Sequence, residues 1–380
     1  MYAQAVRVFS RIDYRLVFVV LALQLSGLFT IAAYSQDLLL DSSPVSFFQA
    51  NVKSQLQWIA LSWVCFFLCV KFDYAKLREW AWIIYFFSIL ALIGLFFTDP
   101  IVRVQRWYRV PFIGMSIQPS EMAKVAVVIA LSWFLERRAL ITESFSTLLG
   151  AMAIVGLPFL LILKQPDLGS AVVLYPMALV ILFFGGVSVR SLKMLALPGV
   201  VVIGLVFLTF SGLVPHEQIR PYMTRFLKEY QCERLNPETH HQKASQTAIA
   251  IGGVKGAGWR QGEYWRGGSL PAPYTDSIFA AFGEEFGLIG LFFLLILYYL
   301  LISCCFQTVS VAKDSFGRLI ASGIAVYITV HVVINVGMMS GCLPVTGVPL
   351  LLMSYGGSSL TMTMAALGIT QSVYSRRFMF

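Results

Sequence analysis

The sequence predicts an all-α polytopic membrane protein with about ten transmembrane helices and one long extracytoplasmic loop between the seventh and eighth. Three observations carry that expectation. The 380-residue chain is 58% hydrophobic and only 12% charged, too apolar for a soluble domain of that length. Its apolar residues gather in ten segments, most of them near the roughly 20 residues that a bilayer crossing requires. Its Lys and Arg residues fall between those segments, where they can report sidedness.

The segments run over 16–34, 56–70, 80–97, 117–135, 148–163, 168–184, 192–210, 277–305, 319–339 and 350–373. The first follows basic and polar residues and has no small-residue cleavage site behind it, so it reads as a retained helix and not a cleaved signal. Pro158, Pro176 and the stretch "SYGGSS" interrupt the fifth, sixth and tenth. The long loop covers about 214–275, and with no internal repeat the chain reads as a single membrane domain, 1–380. The six cysteines form no CxxC pair and no zinc spacing. Cys65 and Cys69 suit packing within a span. Cys304 and Cys305 sit at a helix end, where acylation is open. The sequence does not argue for a Cys232–Cys342 disulfide.

With the N-terminus inside, every inner segment carries at least two basic residues: Arg7, Arg11 and Arg15; Lys71, Lys76 and Arg78; Arg137 and Arg138; Arg190 and Lys193; Lys313 and Arg318; Arg376 and Arg377. Ten spans return the C-terminus to the same side. The outer side is basic as well, with Arg103, Arg106 and Arg109 in a short loop and Arg220, Arg225, Lys228 and Arg234 among those of the long one. Two readings stand: a solvated face that meets anionic headgroups, or an outward site for an anionic ligand, which the planar guanidinium fork suits. Within "IRPYMTRFLKEY", apolar residues at helical spacing describe a helix lying in the membrane interface or packed on the bundle. The glycine-rich "GGVKGAGWRQG" is either a turn or a loop that offers backbone N–H groups to a phosphate.

Charges also sit inside the spans, where burial is costly and function is the usual reason. Glu121 and Lys124 are three apart at a helix start and can pair, either to fix helices together or to face a cavity. In "LKQPDLGSA", Asp167 is a candidate N-cap. His331 and Asn335 share a helix face. "SYGGSS" places irregular backbone at membrane depth, which is tolerated in protein or beside a watery cavity. Thr275 or Asp276 can cap the long eighth helix, with Glu284 and Glu285 as partners of cations. Alternatively Asp276 is an outward carboxylate beside Arg and Lys. One base with an anion cradle suits transfer of a group from a phosphate leaving group to a hydroxyl.

Six stretches in series, "RW", "IQPSEMAK", "QPDLGSA", "YTDSIFAAFGEEFGLIG", "NVGMMSGCLPVTGVPL" and "SYGGSS", resemble the shape, elongation, division and sporulation (SEDS) membrane proteins over nearly the whole chain. "PVTGVPL" is more similar to the rod-shape branch than to the division branch. The resemblance implies a peptidoglycan glycosyltransferase of the bacterial plasma membrane. It would polymerise lipid II, a disaccharide-pentapeptide on undecaprenyl pyrophosphate, outside the membrane, with both termini cytoplasmic. It makes Asp276 the essential aspartate, here the general base of an inverting displacement. It also makes Arg106, Gln118, Glu121, Lys124, Asp167, Arg220, Arg225, Ser354, Tyr355, Gly356 and Gly357 candidate substrate-binding residues. The implied cofactor is Mg2+ or another divalent cation. The implied partners are a class B penicillin-binding protein transpeptidase and membrane proteins of the elongation complex, with no nucleic acid. Rival functions are a lipid II flippase and a division-type polymerase. The chain departs from the family where it reads Pro349, Leu350, Leu351 in place of Pro-Leu-Pro, and at "HHQKASQ", where a tyrosine usually precedes the glutamine.

Overall fold

The computed structural model describes residues 11–34, 50–98, 105–109, 116–224, 229–266 and 268–378. Ten long helices stand among them, one for each expected span: α1 (Tyr14–Ala33), α2 (Ala50–Lys71), α3 (Leu77–Gly94), α4 (Pro119–Arg137), α5 (Phe145–Lys164), α6 (Leu168–Phe184), α7 (Val189–Phe210), α8 (Ile278–Val311), α9 (Ser315–Met339) and α10 (Gly357–Ser375). Their starts follow local chemistry. The side chains of Asp13, Ser144, Asp167, Ser188 and Asp314 each accept a backbone N–H in the first turn of α1, α5, α6, α7 and α9. α4 opens on Pro119, whose missing N–H costs nothing at that position.

Seven helices are long and apolar enough to cross a membrane: α1, α2, α3 with its flanking turns, α5, α7, α8 and α9. α6 is a shorter apolar helix. α4 and α10 are more polar, and most of their residues are buried within the bundle. Neighbouring helices shield them from lipid, so they can hold Glu121, Lys124 and a run of Ser and Thr. α9 packs against α4, α6, α8 and α10 and forms the centre of the bundle, while α10 lies along α2. α7 stands at the rim with only Thr209 buried.

Two boundaries differ from expectation for a physical reason. The tenth helix starts at Gly357, because Ser354 and Tyr355 bond instead to the chain ahead of α8. α8 runs 34 residues but kinks at Gly287, with φ +64° and ψ −166°. There the N–H groups of Leu288 and Ile289 donate to Gly253 and Val254, and the carbonyls of Glu284 and Glu285 accept from Ala257 and Gly258. The freed backbone groups of a broken membrane helix are thus satisfied by protein. This also corrects the phosphate-loop reading of "GGVKGAGWRQG": N–H groups of that loop are spent on α8.

The long loop is itself helical in part, over His216–Met223, Glu229–Arg234, His240–Gly252 and Glu263–Arg266. The second half of the expected interface helix, residues 225–228, lies outside the described residues. A two-residue antiparallel pairing of Tyr108 with Ile117 and Arg109 with Ser116, unforeseen from the sequence, brings the Arg106 loop back to α4. All six cysteines are free.

Candidate active site

The chain ahead of α8 does not end in a side-chain cap. Ser277 is the N-cap residue, and no side chain caps the helix. Thr275 and Asp276 therefore do not serve α8 in that way. Asp276 is held by its backbone instead: Asn335 Nδ2, from α9, donates to the Asp276 carbonyl at 2.9 Å. Among the described residues none donates a hydrogen bond to the Asp276 carboxylate.

The loop between α9 and α10 forms the floor beneath it. Asn335 Nδ2 also donates to the Val348 carbonyl at 2.8 Å, and an Arg234 Nη1–H donates to the Thr346 carbonyl at 3.2 Å. Gly347 between them has φ +77°, and a Cβ there would sit 3.4 Å from Asp276 Oδ2. Ser354 Oγ donates to the Thr275 carbonyl at 2.7 Å, and the Tyr355 N–H to the Tyr274 carbonyl at 2.8 Å. The structure thus places Ser354 and Tyr355 as staples that set the backbone just ahead of Asp276. Gly356 precedes α10, and Gly357 is needed for room: a Cβ there would lie 1.9 Å from the Trp58 ring.

Two arginines bear on the carboxyl. Burial pushes the Asp276 pKa above its ordinary value; Arg234 and then Arg106 pull it down, and Asp167 adds a smaller upward push. Arg106 donates from Nε to the Gln165 carbonyl at 3.2 Å and from Nη2 to that of Pro166, with Nη1 4.0 Å from Asp167 Oδ1. Asp167 caps α6 through Ser170 N–H and accepts from Gln118 Nε2 and Ser120 Oγ, each at 3.1 Å. Arg106, Gln118, Asp167 and Asp276 therefore form one neighbourhood. Sequence reasoning missed Arg234 as a member, because nothing in the loop distinguishes it from its basic neighbours. It also missed His241, whose Nε2 lies 2.7 Å from Ser277 Oγ.

Other candidates lie elsewhere. Lys124 is 1% exposed, with Nζ 2.8 Å from Glu121 Oε1 and 3.0 Å from His331 Nε2. It is enclosed by protein groups, whereas Arg106 and Arg234 keep partial exposure. Arg220 is exposed and pairs with Glu229 at 3.5 Å. Arg225 lies outside the described residues. Glu284 accepts from Tyr34 Oη at 3.3 Å and Tyr264 N–H at 3.0 Å, and Glu285 from Arg260 N–H at 2.5 Å. These two carboxylates fasten the outer loop to α8.

Residues 14–377 match the family model FtsW/RodA/SpoVE, described as "Cell cycle protein". The chain belongs to the FtsW/RodA/SpoVE family. This is the SEDS family whose motifs the sequence displays. Among its curated members, the peptidoglycan glycosyltransferase MrdB of Escherichia coli K12 is 35% identical over 312 residues, covering 79% of each chain. Stage V sporulation protein E of Bacillus subtilis is 33% identical over 343 residues, covering 87% of this chain and 88% of the relative. Two solved structures share the fold. One is a chain from a study described as "Structural coordination of polymerization and crosslinking by a peptidoglycan synthase complex", with TM-score 0.76, 28% identity and coverage of 97% of this chain and 99% of that one. The other is the Rod shape determining protein RodA of Thermus thermophilus, with TM-score 0.67, 27% identity and coverage of 97% and 98%. Like them, this FtsW/RodA/SpoVE member is an all-α polytopic membrane protein.

Proposed function

We propose that this protein is a peptidoglycan glycosyltransferase that polymerises lipid II during cell elongation. The observation that carries the reading is Asp276: a partly exposed carboxylate with no described donor on its oxygens, within electrostatic reach of Arg234 and Arg106. It supports a base next to an anion-binding surface. Similarity to relatives named MrdB favours the elongation role over the division role.

The reaction follows from those groups. The acceptor sugar hydroxyl attacks the anomeric carbon of the lipid-linked sugar as the bond to the pyrophosphate oxygen breaks. Asp276 takes the hydroxyl proton, and the bonding pair leaves with the pyrophosphate. One displacement inverts an α-linkage to β. A positioned base contributes about 10²–10⁴ in rate. Arg106 and Arg234 stabilise the charge that develops on the leaving group.

A divalent cation is the cofactor the family resemblance implies. Among the described residues no group of three or more His, Cys, Asp or Glu side chains converges, so they offer no all-protein cage. Asp276 and Asp167 fit only the sparser arrangement in which Mg2+ is held by one or two carboxylates and the substrate phosphates. There the cation would supply charge neutralisation at the pyrophosphate.

We place the site on the extracytoplasmic face, with both termini inside, on the strength of the basic inner segments. A transpeptidase of the class B penicillin-binding type is the partner, since a similar chain comes from a peptidoglycan synthase complex. The test is purified protein, alone and with such a partner, given labelled lipid II and scored for glycan chains. Chains are expected. Vesicles that move lipid II across the bilayer without forming chains would favour a flippase and overturn the reading.

A further inference from the structure

We infer that buried Lys124 acts as a positioning residue through His331: it fixes His331 in the Nδ1–H tautomer, and His331 and Asn335 then fasten the backbone beneath Asp276. The functional part of this rests on the reading of Asp276 as the base; the tautomer does not.

The cluster is sealed from solvent. Glu121 is 2% exposed, Lys124 and His331 1%, and Asn335 0%. Lys124 Nζ lies 2.8 Å from Glu121 Oε1 and 3.0 Å from His331 Nε2. An ammonium group has donors only, so Nε2 must accept, and the ring proton belongs on Nδ1. The other edge agrees: Nδ1 lies 3.3 Å from the Pro349 carbonyl, which can only accept. The opposite tautomer would set an N–H against the ammonium and a lone pair against the carbonyl, and in a low-dielectric interior both contacts are costly. Tyr327 closes the cluster, with Oη 3.3 Å from Glu121 Oε2 and 3.1 Å from Thr363 Oγ1, and its ring centroid 4.8 Å from that of His331.

His331 and Asn335 stand one turn apart on α9. Together they hold three carbonyls: Pro349 from His331, and Val348 and Asp276 from Asn335. Those carbonyls belong to the two strands of chain that meet at the Asp276 carboxylate, where Gly347 lies against Oδ2. A neutral residue at position 124 would leave Nε2 without a donor and leave the longer Nδ1 contact to the Pro349 carbonyl alone to favour the Nδ1–H form. Lys124 thereby bears on the base without touching substrate.

The decisive measurement is nitrogen NMR of the full chain in nanodiscs with 15N-labelled histidine. The chain has only four histidines, and the His331 signals are those lost in His331→Asn. Wild-type His331 is expected to show a protonated Nδ1 and a bare Nε2, and Glu121→Gln/Lys124→Met is expected to weaken that preference, so that an Nε2–H population appears beside the form held by the Pro349 carbonyl. A proton on Nε2 in the wild type, or an unchanged tautomer in the double variant, would overturn the inference whether or not the protein polymerises lipid II. Kinetics provide the second arm. Asn places an N–H near the Nδ1 position, so His331→Asn should lose less than about threefold in kcat. His331→Gln and His331→Leu should lose roughly tenfold in kcat with KM within about twofold, as expected for a misplaced base. Wild-type kinetics in His331→Gln, or a loss confined to KM, would contradict it. A wild-type protein that makes no glycan would sink the enzymatic reading alone and leave the tautomer result standing.

Discussion

Asn335 grips Asp276 by the backbone and leaves the carboxylate to the site. The amide Nδ2 donates at 2.9 Å to the Asp276 carbonyl and at 2.8 Å to that of Val348. One side chain on the central helix α9 thus joins the start of α8 to the loop ahead of α10. The charge of Asp276 is spent neither on capping a helix nor on pairing with a described donor.

The acid limb of the pH–rate profile should lie above the ordinary carboxylate pKa of about 3.9. Burial raises the Asp276 pKa, and Arg234 and Arg106 oppose the rise. The base works deprotonated, so the rate falls as pH falls through the raised value. Arg234→Gln removes the larger downward influence and should move the limb to higher pH. A limb that stays in place in Arg234→Gln would separate that arginine from Asp276.

Glu121→Ala and Lys124→Ala should each lower membrane abundance as well as activity. Breaking one partner of a buried pair leaves an uncompensated charge, which costs about 3–5 kcal/mol. Glu121→Gln/Lys124→Met, which removes both charges and keeps the volume, should unfold at a higher temperature than either alanine variant. Full activity and normal abundance in both alanine variants would contradict the buried network.

Gly347→Ala should reduce kcat more than it reduces stability. The backbone there is left-handed, which a Cβ disfavours by about 1–2 kcal/mol, and the new methyl would stand 3.4 Å from Asp276 Oδ2. Unchanged turnover with a lowered thermal midpoint would confine Gly347 to a backbone role.

Membrane-impermeant thiol labelling tests the orientation. Cys342 is the exposed cysteine of the six and lies in the loop that forms the floor of the site. It should label from the extracytoplasmic side. In a chain lacking the native cysteines, Ala139→Cys, beside Arg137 and Arg138, should label only after the membrane is opened. The reverse pattern would invert the topology.

The helices were legible because apolar length and flanking charge are local properties. The ten expected segments each correspond to a helix. What the sequence concealed was long-range. The kink at Gly287 is made by hydrogen bonds from a loop about thirty residues earlier in the chain, around Val254 and Gly258. "SYGGSS" breaks a span and read as irregular backbone either within protein or beside a watery cavity; the bonds of Ser354 and Tyr355 to Thr275 and Tyr274 could not be read from it. Asp167 was readable as a cap, since an acid just before an apolar run has that role locally. Its neighbourhood with Arg106 and Gln118 was not, because three loops must meet to make it. Lys124 looked like a candidate for the pyrophosphate, and only the fold reveals that it is enclosed between Glu121 and His331.

The most direct test of Asp276 as the base is the lipid II polymerisation rate of Asp276→Asn, measured beside its thermal midpoint. Asparagine keeps the shape and the backbone bond to Asn335 but cannot take a proton. The stability sign is definite. A carboxyl whose pKa is raised on folding favours the fold below its unfolded pKa and loses that contribution as pH rises through the folded value. At neutral pH the charged group therefore burdens the fold, and the amide should unfold at a temperature equal to or above the wild type. The account predicts a stable protein whose glycan synthesis falls by about 10²–10⁴. Synthesis near the wild-type rate by an equally abundant Asp276→Asn protein would contradict it.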